Sequence, residues 1–485
     1  MAKRSKVAAP PPPVADKKEI EFAQKCKADP LFFAQEVLGL GLWEKQKEIL
    51  LSVRDNPRTA ARTASAVGKS FDGAAASIWF LATHRPSTVV TTAPTFRQVR
   101  DILWEEIRAM WAGSKIVLGP NDPTQTGITM TEATDPMKWF AIGMTTEEPE
   151  KFQGFHNQNV LVVVDEASGV PETIFTAVEN PLAAGHTRVL LLGNPTQVSG
   201  TFHDAFSSPL YKTFHISAFD TPNFTHFGIT REDIIEGTWQ EKLTGPLPYP
   251  FLVTPHAVAD RLLDWGLDSP MWQVYVEGQF PEEAPDTLIP LAWVEKGILR
   301  ELPPAGGVVI GIDTARFGDD ENVAVIRQGS KVIGVVSWAK CDTMTGTGKV
   351  INLIEDWLPQ RVRIDDAPIA AGVIDRLAEQ QYAVEVVNMS AKPTSDKFVN
   401  LRAEMYWQLR TRFEQEDIDV PDHAKLKAQT TSMKYKFDSR GRLQIESKEE
   451  MKKRGLKSPD YADALALAFK GADRANQRIA SVRYY

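Results

Sequence analysis

Cysteine is nearly absent: Cys26 and Cys341 are the only two in 485 residues. Two thiols this far apart give neither a disulfide framework nor a cysteine metal cluster, which fits a reducing compartment such as a cytoplasm. No apolar run approaches the roughly 20 residues that a membrane helix needs. The opening stretch MAKRSKVAAPPPPVADKKEI carries basic residues and four consecutive prolines but no apolar core, so it does not make a secretory signal. Its composition predicts a disordered tail over 1–28, matched by a flexible tail over 475–485. Internal repeats are lacking, as is low complexity beyond the proline run. A formal net charge of -8 weighs against a surface coated with nucleic acid, while leaving room for a local basic groove.

What remains is ordinary soluble-protein material, 43% hydrophobic and 24% charged, in a chain long enough for two domains. From Pro30 to about Phe280, short apolar runs alternate with amphipathic helical stretches, which predicts an α/β domain over 29–281. The runs STVVTTA, VLVVVDE and TRVLLLGN are almost continuous in β-branched residues and leucine, as parallel strands covered on both faces should be. The proline-rich, acidic segment 282–303 reads as a linker. Over 304–474 the pattern changes. GGVVIGIDTARFG and ENVAVIRQGSKVIGVVSW, with a turn at Gln328 to Lys331, predict three meandering antiparallel strands. A helix, a strand, a helix and a strand follow, and this order is similar to that of the ribonuclease H-like nucleases.

The segment ARTASAVGKSF nearly spells a phosphate-binding P-loop, written GxxxxGK[ST]. Gly68, Lys69 and Ser70 supply its end, while Thr63 stands where the first glycine belongs. The end carries the chemistry. Backbone N–H groups face phosphate, the lysine reaches the β and γ phosphates, and the hydroxyl holds Mg²⁺. Thr63 is tolerable if its backbone needs no positive φ. A bare GKS also occurs as an ordinary helix start, but here it opens an alanine-rich helical run. Further on, NVLVVVDEASG ends an apolar strand in Asp165 and Glu166, where a first acid would support Mg²⁺ and a second would orient and deprotonate water. An isolated DE pair is commonly a solvated strand end. After GKS, the catalytic reading gains. Asn194, in LLLGNPT, sits at the carboxyl edge of a strand where it would sense a γ phosphate or merely begin an Asn-Pro turn. Trp43 and Gln46 fall on one helical face, and the glutamine amide would pair with adenine. From the residues alone, a core Trp43 with an exposed Gln46 is the simpler reading.

Asp313 and Asp365 each end a strand, and Asp460 and Asp463 are spaced i, i+3 at a helix start marked by a proline. Each alone reads as a solvated strand end or a helix cap. Brought together, they make a cluster that is costly unless divalent cations neutralise it. Two Mg²⁺ or Mn²⁺ ions roughly 4 Å apart would clamp a phosphodiester, which is nuclease chemistry. Asp366, Asp319 and Asp320 read as outer or exposed residues. Between these acids, Lys434 to Lys457 holds nine Lys or Arg against four acids. A hairpin through DSRGR would lay this charge along a duplex backbone, although a charge run is usually a solvated face.

A P-loop sheet joined to a ribonuclease H-like domain resembles the large terminase subunit of tailed bacteriophages. The resemblance spans about residues 30 to 475 and rests on RTASAVGKS, VVTTAPTFRQV, KFQGFHNQNVLVVVDEASG, LLLGNPT, SAFDTPNF, SPMWQVYVEGQFP, GIDTARFGDDENVAVI, VNLRAEMYWQLR and SPDYADALALA, in that order. It implies an ATPase that drives double-stranded DNA into a prohead and a metal-dependent endonuclease that cuts the DNA concatemer, in the host cytoplasm. Lys69 and Ser70 would bind ATP phosphates and Mg²⁺, Asp165 would support the metal, and Glu166 would be the base. Asn194 would couple hydrolysis to movement, and Trp43 with Gln46 would contact adenine. Asp313, Asp365, Asp460 and Asp463 would hold two Mg²⁺ or Mn²⁺ ions. The implied partners are a portal protein, a small terminase subunit and further copies of the chain in a ring, expected as a pentamer on the prohead and a monomer when isolated.

Members of that family often place an arginine in the P-loop or just before the acidic strand. Ser65 and Gln153 occupy those places here, and no arginine lies between Arg108 and Arg188. Arg62 in cis, or an arginine from a neighbouring copy, are the candidates left. After Asp365 the chain reads APIAAG where the family is glycine-rich. Two competing readings are a helicase-nuclease of DNA repair or restriction, and a non-catalytic DNA-binding scaffold. The first normally carries two RecA-like domains, and this chain shows one P-loop with one acidic strand.

Overall fold

The computed structural model describes residues 16–131, 138–145, 155, 157–179, 185–281, 286–314, 321–338, 341–366, 370–438 and 440–471. They divide into two compact units. One lies within Met1–Ala61, Gly68–Leu192 and Ser208–Phe214, the other within Arg62–Val67, Gly193–Ser207 and His215–Tyr485. No helix among the described residues is long and apolar enough to cross a membrane. Asp319, Asp320, Gln153 and residues 367–369 of APIAAG fall outside the described residues.

In the first unit, the tail expected over 1–28 is instead helical from residue 17. Helix α1, Lys17–Ala28, starts at a reciprocal capping box between Asp16 and Glu19. It is fixed at its far end, where Cys26 is buried and its carbonyl accepts from Trp79 Nε1 at 3.0 Å. Helix α2, Glu44–Asp55, has Trp43 as its N-cap rather than as a member of its face. Helix α3, Lys69–Thr83, is the alanine-rich run after Gly68.

The first sheet has the order β3-β4-β2-β5-β6-β1-β7, with β1 at Arg58–Thr63, β2 at Ser87–Thr92, β3 at Gly127–Thr129, β4 at Phe140–Met144, β5 at Asn159–Val164, β6 at His186–Gly193 and β7 at Lys212–Ile216. Strand β2 runs parallel to β4 and β5, and β5 runs parallel to β6. Every residue of β2 and β5 is buried, which is why their sequences are continuous rather than alternating.

The second unit holds a five-stranded sheet of order β10-β9-β8-β11-β12: β8 Val308–Asp313, β9 Asn322–Gln328, β10 Lys331–Trp338, β11 Arg361–Asp365 and β12 Glu385–Val387. The first three pair antiparallel, and β11 pairs parallel with β8 and β12. Helix α4, Leu291–Leu299, falls inside the segment expected as a linker, yet its Val294 belongs to the core of this sheet. The proline and acid content of that segment suggested a solvated connector, but its apolar positions Leu288, Ile289 and Val294 are buried. Helices α5, Thr343–Trp357, and α6, Ala371–Glu379, contribute to one core cluster. Helices α7, Leu401–Glu414, α8, Ala424–Ser432, and α9, Asp460–Phe469, pack together in the other. All ten residues of α9 are buried. It lies so close to β8 that a Cβ at Gly311 would overlap Ala464 O and Ala468 N. A two-stranded hairpin, β13 Tyr435–Phe437 and β14 Leu443–Ile445, closes through the DSRGR segment as expected.

Candidate active sites

In the first unit the GKS turn and the acidic strand end meet. Ser70 Oγ donates to Asp165 Oδ2 at 2.6 Å, and Lys69 Nζ pairs with Glu166 Oε1 at 2.8 Å. Burial opposes the Lys69 charge, but Glu166 and Asp165 outweigh it and hold its pKa above the usual value. Burial also lifts Asp165 to about 6, with Glu166 adding to the rise. Glu166 follows Asp165 in a left-handed turn, φ 48°, which swings its side chain to Lys69. Two hard oxygen donors 2.6 Å apart, on Ser70 and Asp165, with a lysine beside them, fit Mg²⁺ and phosphate. Gln46 is buried, not exposed: its Oε1 accepts from Trp43 N at 3.3 Å and its Nε2 donates to Gly68 O at 3.4 Å. It also bonds Asp72, a buried carboxyl pushed well up by desolvation. The Gln46 amide therefore braces the turn that bears Lys69.

The rest of the P-loop segment lies in the second unit. Thr63 ends β1 with ordinary extended backbone, and the left-handed positions are Ala66 and Gly68. The missing first glycine thus falls where no positive φ is required. Asn194 Nδ2 donates to Thr63 O at 2.7 Å, and both residues are buried. Arg62 lies over the rings of Phe206 and Phe280, at 5.3 and 5.4 Å, with its Nε buried and unbonded among the described residues.

The carboxylates of the second unit come from three elements. Asp313 ends β8, Asp365 ends β11, and Asp460 and Asp463 occupy the first turn of α9. Burial raises the Asp313 pKa well above the carboxylate range, with Asp463, Asp460 and Asp365 adding to the rise against Lys448. Burial and Asp463 likewise raise Asp365. Asp463 goes the other way. Although fully buried, it is held ionised by Arg402 and Lys448: Arg402 Nε lies 3.3 Å from Oδ1, Tyr406 OH donates to Oδ1 at 2.7 Å, and Lys448 Nζ sits 3.0 Å from Oδ2. Lys448 Nζ is also 3.9 Å from Asp313 Oδ2. Among the described residues no three or more acids, histidines or cysteines are placed so that they could together hold a metal ion as they stand. A lysine ammonium stands among the acids, however, and shows that the cluster suits a cation. Asp463 is bonded to Arg402, Tyr406 and Lys448, and Asp460 Oδ2 accepts from Glu321 N at 2.9 Å. Asp366 Oδ2 accepts from Asn388 Nδ2 at 3.3 Å at an exposed position, as an outer residue would.

No family model matches the chain. A probable terminase large subunit of Enterobacteria phage P7 is 23% identical over 452 residues, covering 88% of this chain and 87% of the relative. This chain resembles a large terminase subunit. Among solved structures, the large terminase of a thermophilic bacteriophage aligns with 88% of this chain and 98% of its own, at 12% identity and a TM-score of 0.39. The nuclease domain of the large terminase subunit of bacterial virus Sf6 aligns with 38% of this chain and 97% of its own, at 21% identity and a TM-score of 0.33.

In this chain the basic run is less free than its composition suggests. Lys434, Lys436, Arg442, Lys448, Arg454 and Lys457 are paired with Asp286, Glu450, Asp438, Asp463, Glu446 and Asp264 respectively. Arg440, Lys452 and Lys453 are exposed, and no ion pair joins them to another described residue. Lys448 is a partner of the acids that the sequence does not reveal, since it lies in the run that reads as a DNA-facing stripe. Arg402 and Tyr406 are further such partners. Their i, i+4 spacing, which sets a cation and a hydroxyl on one helix face, was the available signal.

Proposed function

We propose that this chain is the motor and nuclease subunit of a viral DNA-packaging machine, hydrolysing ATP to move double-stranded DNA into a prohead and cutting the concatemer. The carrying observation is that Ser70 bonds Asp165 and Lys69 pairs with Glu166, contacts that support an ATPase reading of these four residues. Phosphate oxygens arriving at Lys69 compete with Glu166 and release that carboxylate to orient and deprotonate water. Ser70 and Asp165 would hold Mg²⁺, whose charge offsets that of the β and γ phosphates. Trp43 and Gln46 border this site, where Gln46, its amide hydrogens held by Gly68 O and Asp72, would serve the nucleotide by bracing the Gly68 turn. Asn194, through Thr63, ties the end of β6 to the end of β1, a route by which hydrolysis is coupled to movement.

At the second site Asp313, Asp365 and Asp460 would hold two Mg²⁺ or Mn²⁺ ions, which supply an activated water and stabilise the leaving oxygen of a phosphodiester. Asp463 anchors Arg402, Tyr406 and Lys448 around them. Arg440, Lys452 and Lys453 offer sequence-independent contacts to the DNA backbone. A portal protein, a small subunit and a ring of further copies complete the machine, working in the host cytoplasm. Similarity to a large terminase subunit over most of the chain favours packaging over a repair or restriction helicase-nuclease.

The test separates the two chemistries. Lys69→Ala is expected to abolish ATP hydrolysis while leaving Mn²⁺-dependent cleavage of plasmid DNA, and Asp365→Ala to do the reverse. Loss of both activities in either well-folded variant overturns the two-site reading.

A further inference from the structure

Of the elements that deliver the carboxylates, α9 has the least self-sufficient start. Its N-cap residue is Pro459, which has no side chain to accept from the first-turn amides. Gln429 of α8 does so instead. Its Oε1 accepts from Tyr461 N at 2.7 Å and Ala462 N at 3.4 Å, and its Nε2 donates to Ser458 O at 3.0 Å. One amide therefore grips the chain on both sides of Asp460. A second fastening holds the Asp460 carboxylate itself, because Glu321 N donates to its Oδ2 at 2.9 Å. The Glu321 side chain is fixed in turn by Lys425 Nζ and Tyr461 OH, each at 2.6 Å. Lys425 and Gln429 lie four residues apart on α8, so one face of that helix serves both fastenings.

We propose that Gln429 and Glu321 are positioning residues of the nuclease site, a clamp that sets the Asp460 carboxylate to receive a divalent cation with Asp313 and Asp365. This rests on the nuclease reading above. Neither residue touches the reacting atoms. Without the clamp, each cation bound must first order the start of α9, and the cost appears as weaker metal binding.

The experiment is a calorimetric titration of the full-length protein with Mn²⁺, alongside hydrogen exchange of the segment 458–464 and ATP hydrolysis. Gln429→Leu keeps the bulk and removes the hydrogen bonds. It is expected to weaken Mn²⁺ binding roughly three- to tenfold, the effect of one or two lost hydrogen bonds. Exchange at the start of α9 should quicken while ATP hydrolysis stays unchanged. Gln429→Glu, which keeps the acceptor for the two amides, should recover most of the affinity. Wild-type Mn²⁺ affinity in Gln429→Leu overturns the proposal. If that variant does not fold, Tyr461→Phe removes only the hydroxyl that holds Glu321; weakened Mn²⁺ binding supports the clamp, and unchanged binding overturns it. Asp313→Ala separates the two levels. Unchanged Mn²⁺ binding there defeats the nuclease reading, whereas its loss there with full affinity in the clamp variants defeats the clamp alone.

Discussion

Lys448 lies 3.0 Å from Asp463 and 3.9 Å from Asp313, so its ammonium offsets acids that burial would otherwise leave uncompensated. The acids in turn raise its own pKa despite partial burial. Lys448→Ala is expected to lower stability by about 1–2 kcal/mol, less than for a wholly buried pair because the lysine is partly exposed. It should also make Mn²⁺ more stabilising than in the wild type, since a bound cation then replaces the missing charge. Thermal unfolding with and without Mn²⁺ measures both effects, and equal Mn²⁺ shifts in the two proteins contradict the argument. The acids were legible in the sequence because each ends a strand or opens a helix. Their protein partners were not. Lys448, Arg402 and Gln429 are distant in sequence from Asp313, and only the folded arrangement around α9 shows which charges are solvated and which are shared.

At the scale of elements, the contact between α9 and β8 decides whether the carboxylates meet. Gly311 lets the helix backbone rest on the strand, two residues before Asp313. Gly311→Ala would drive a methyl group into Ala464 and Ala468 and push α9 away, at about 1–3 kcal/mol or more of overpacking. Chemical denaturation should register that loss, and Mn²⁺-dependent cleavage should fall further than the lost stability explains; a variant with unchanged stability and cleavage contradicts the close approach. Strand identities were legible because β2, β5 and β6 are continuous apolar runs and β8, β9 and β10 follow one another through short turns. Helix α4 was not, since prolines and acids nearby mask the few apolar positions that join it to the core. Helix α1 was hidden in the same way, behind a proline run whose composition does not extend to Asp16 and Glu19.

At the scale of the whole molecule, the chain carries two sites built on opposite electrostatic plans. The first pairs a lysine with a carboxylate beside a hydroxyl–acid pair, and the second holds Asp463 between a lysine and an arginine, with the same lysine near Asp313. The turn before Lys69 forms despite Thr63, because the positions with left-handed backbone are Ala66 and Gly68. The missing arginine was less readable: Arg62 stacks on Phe206 and Phe280, a placement set by residues far along the chain. By the proposal above, the aspartate cluster cuts DNA in a chain that also hydrolyses ATP. Cleavage of supercoiled plasmid by purified protein with Mn²⁺ tests it most directly, comparing wild type with Asp313→Ala. Nicked and linear products are expected from the wild type and none from the variant; equal cleavage by both would overturn the proposal.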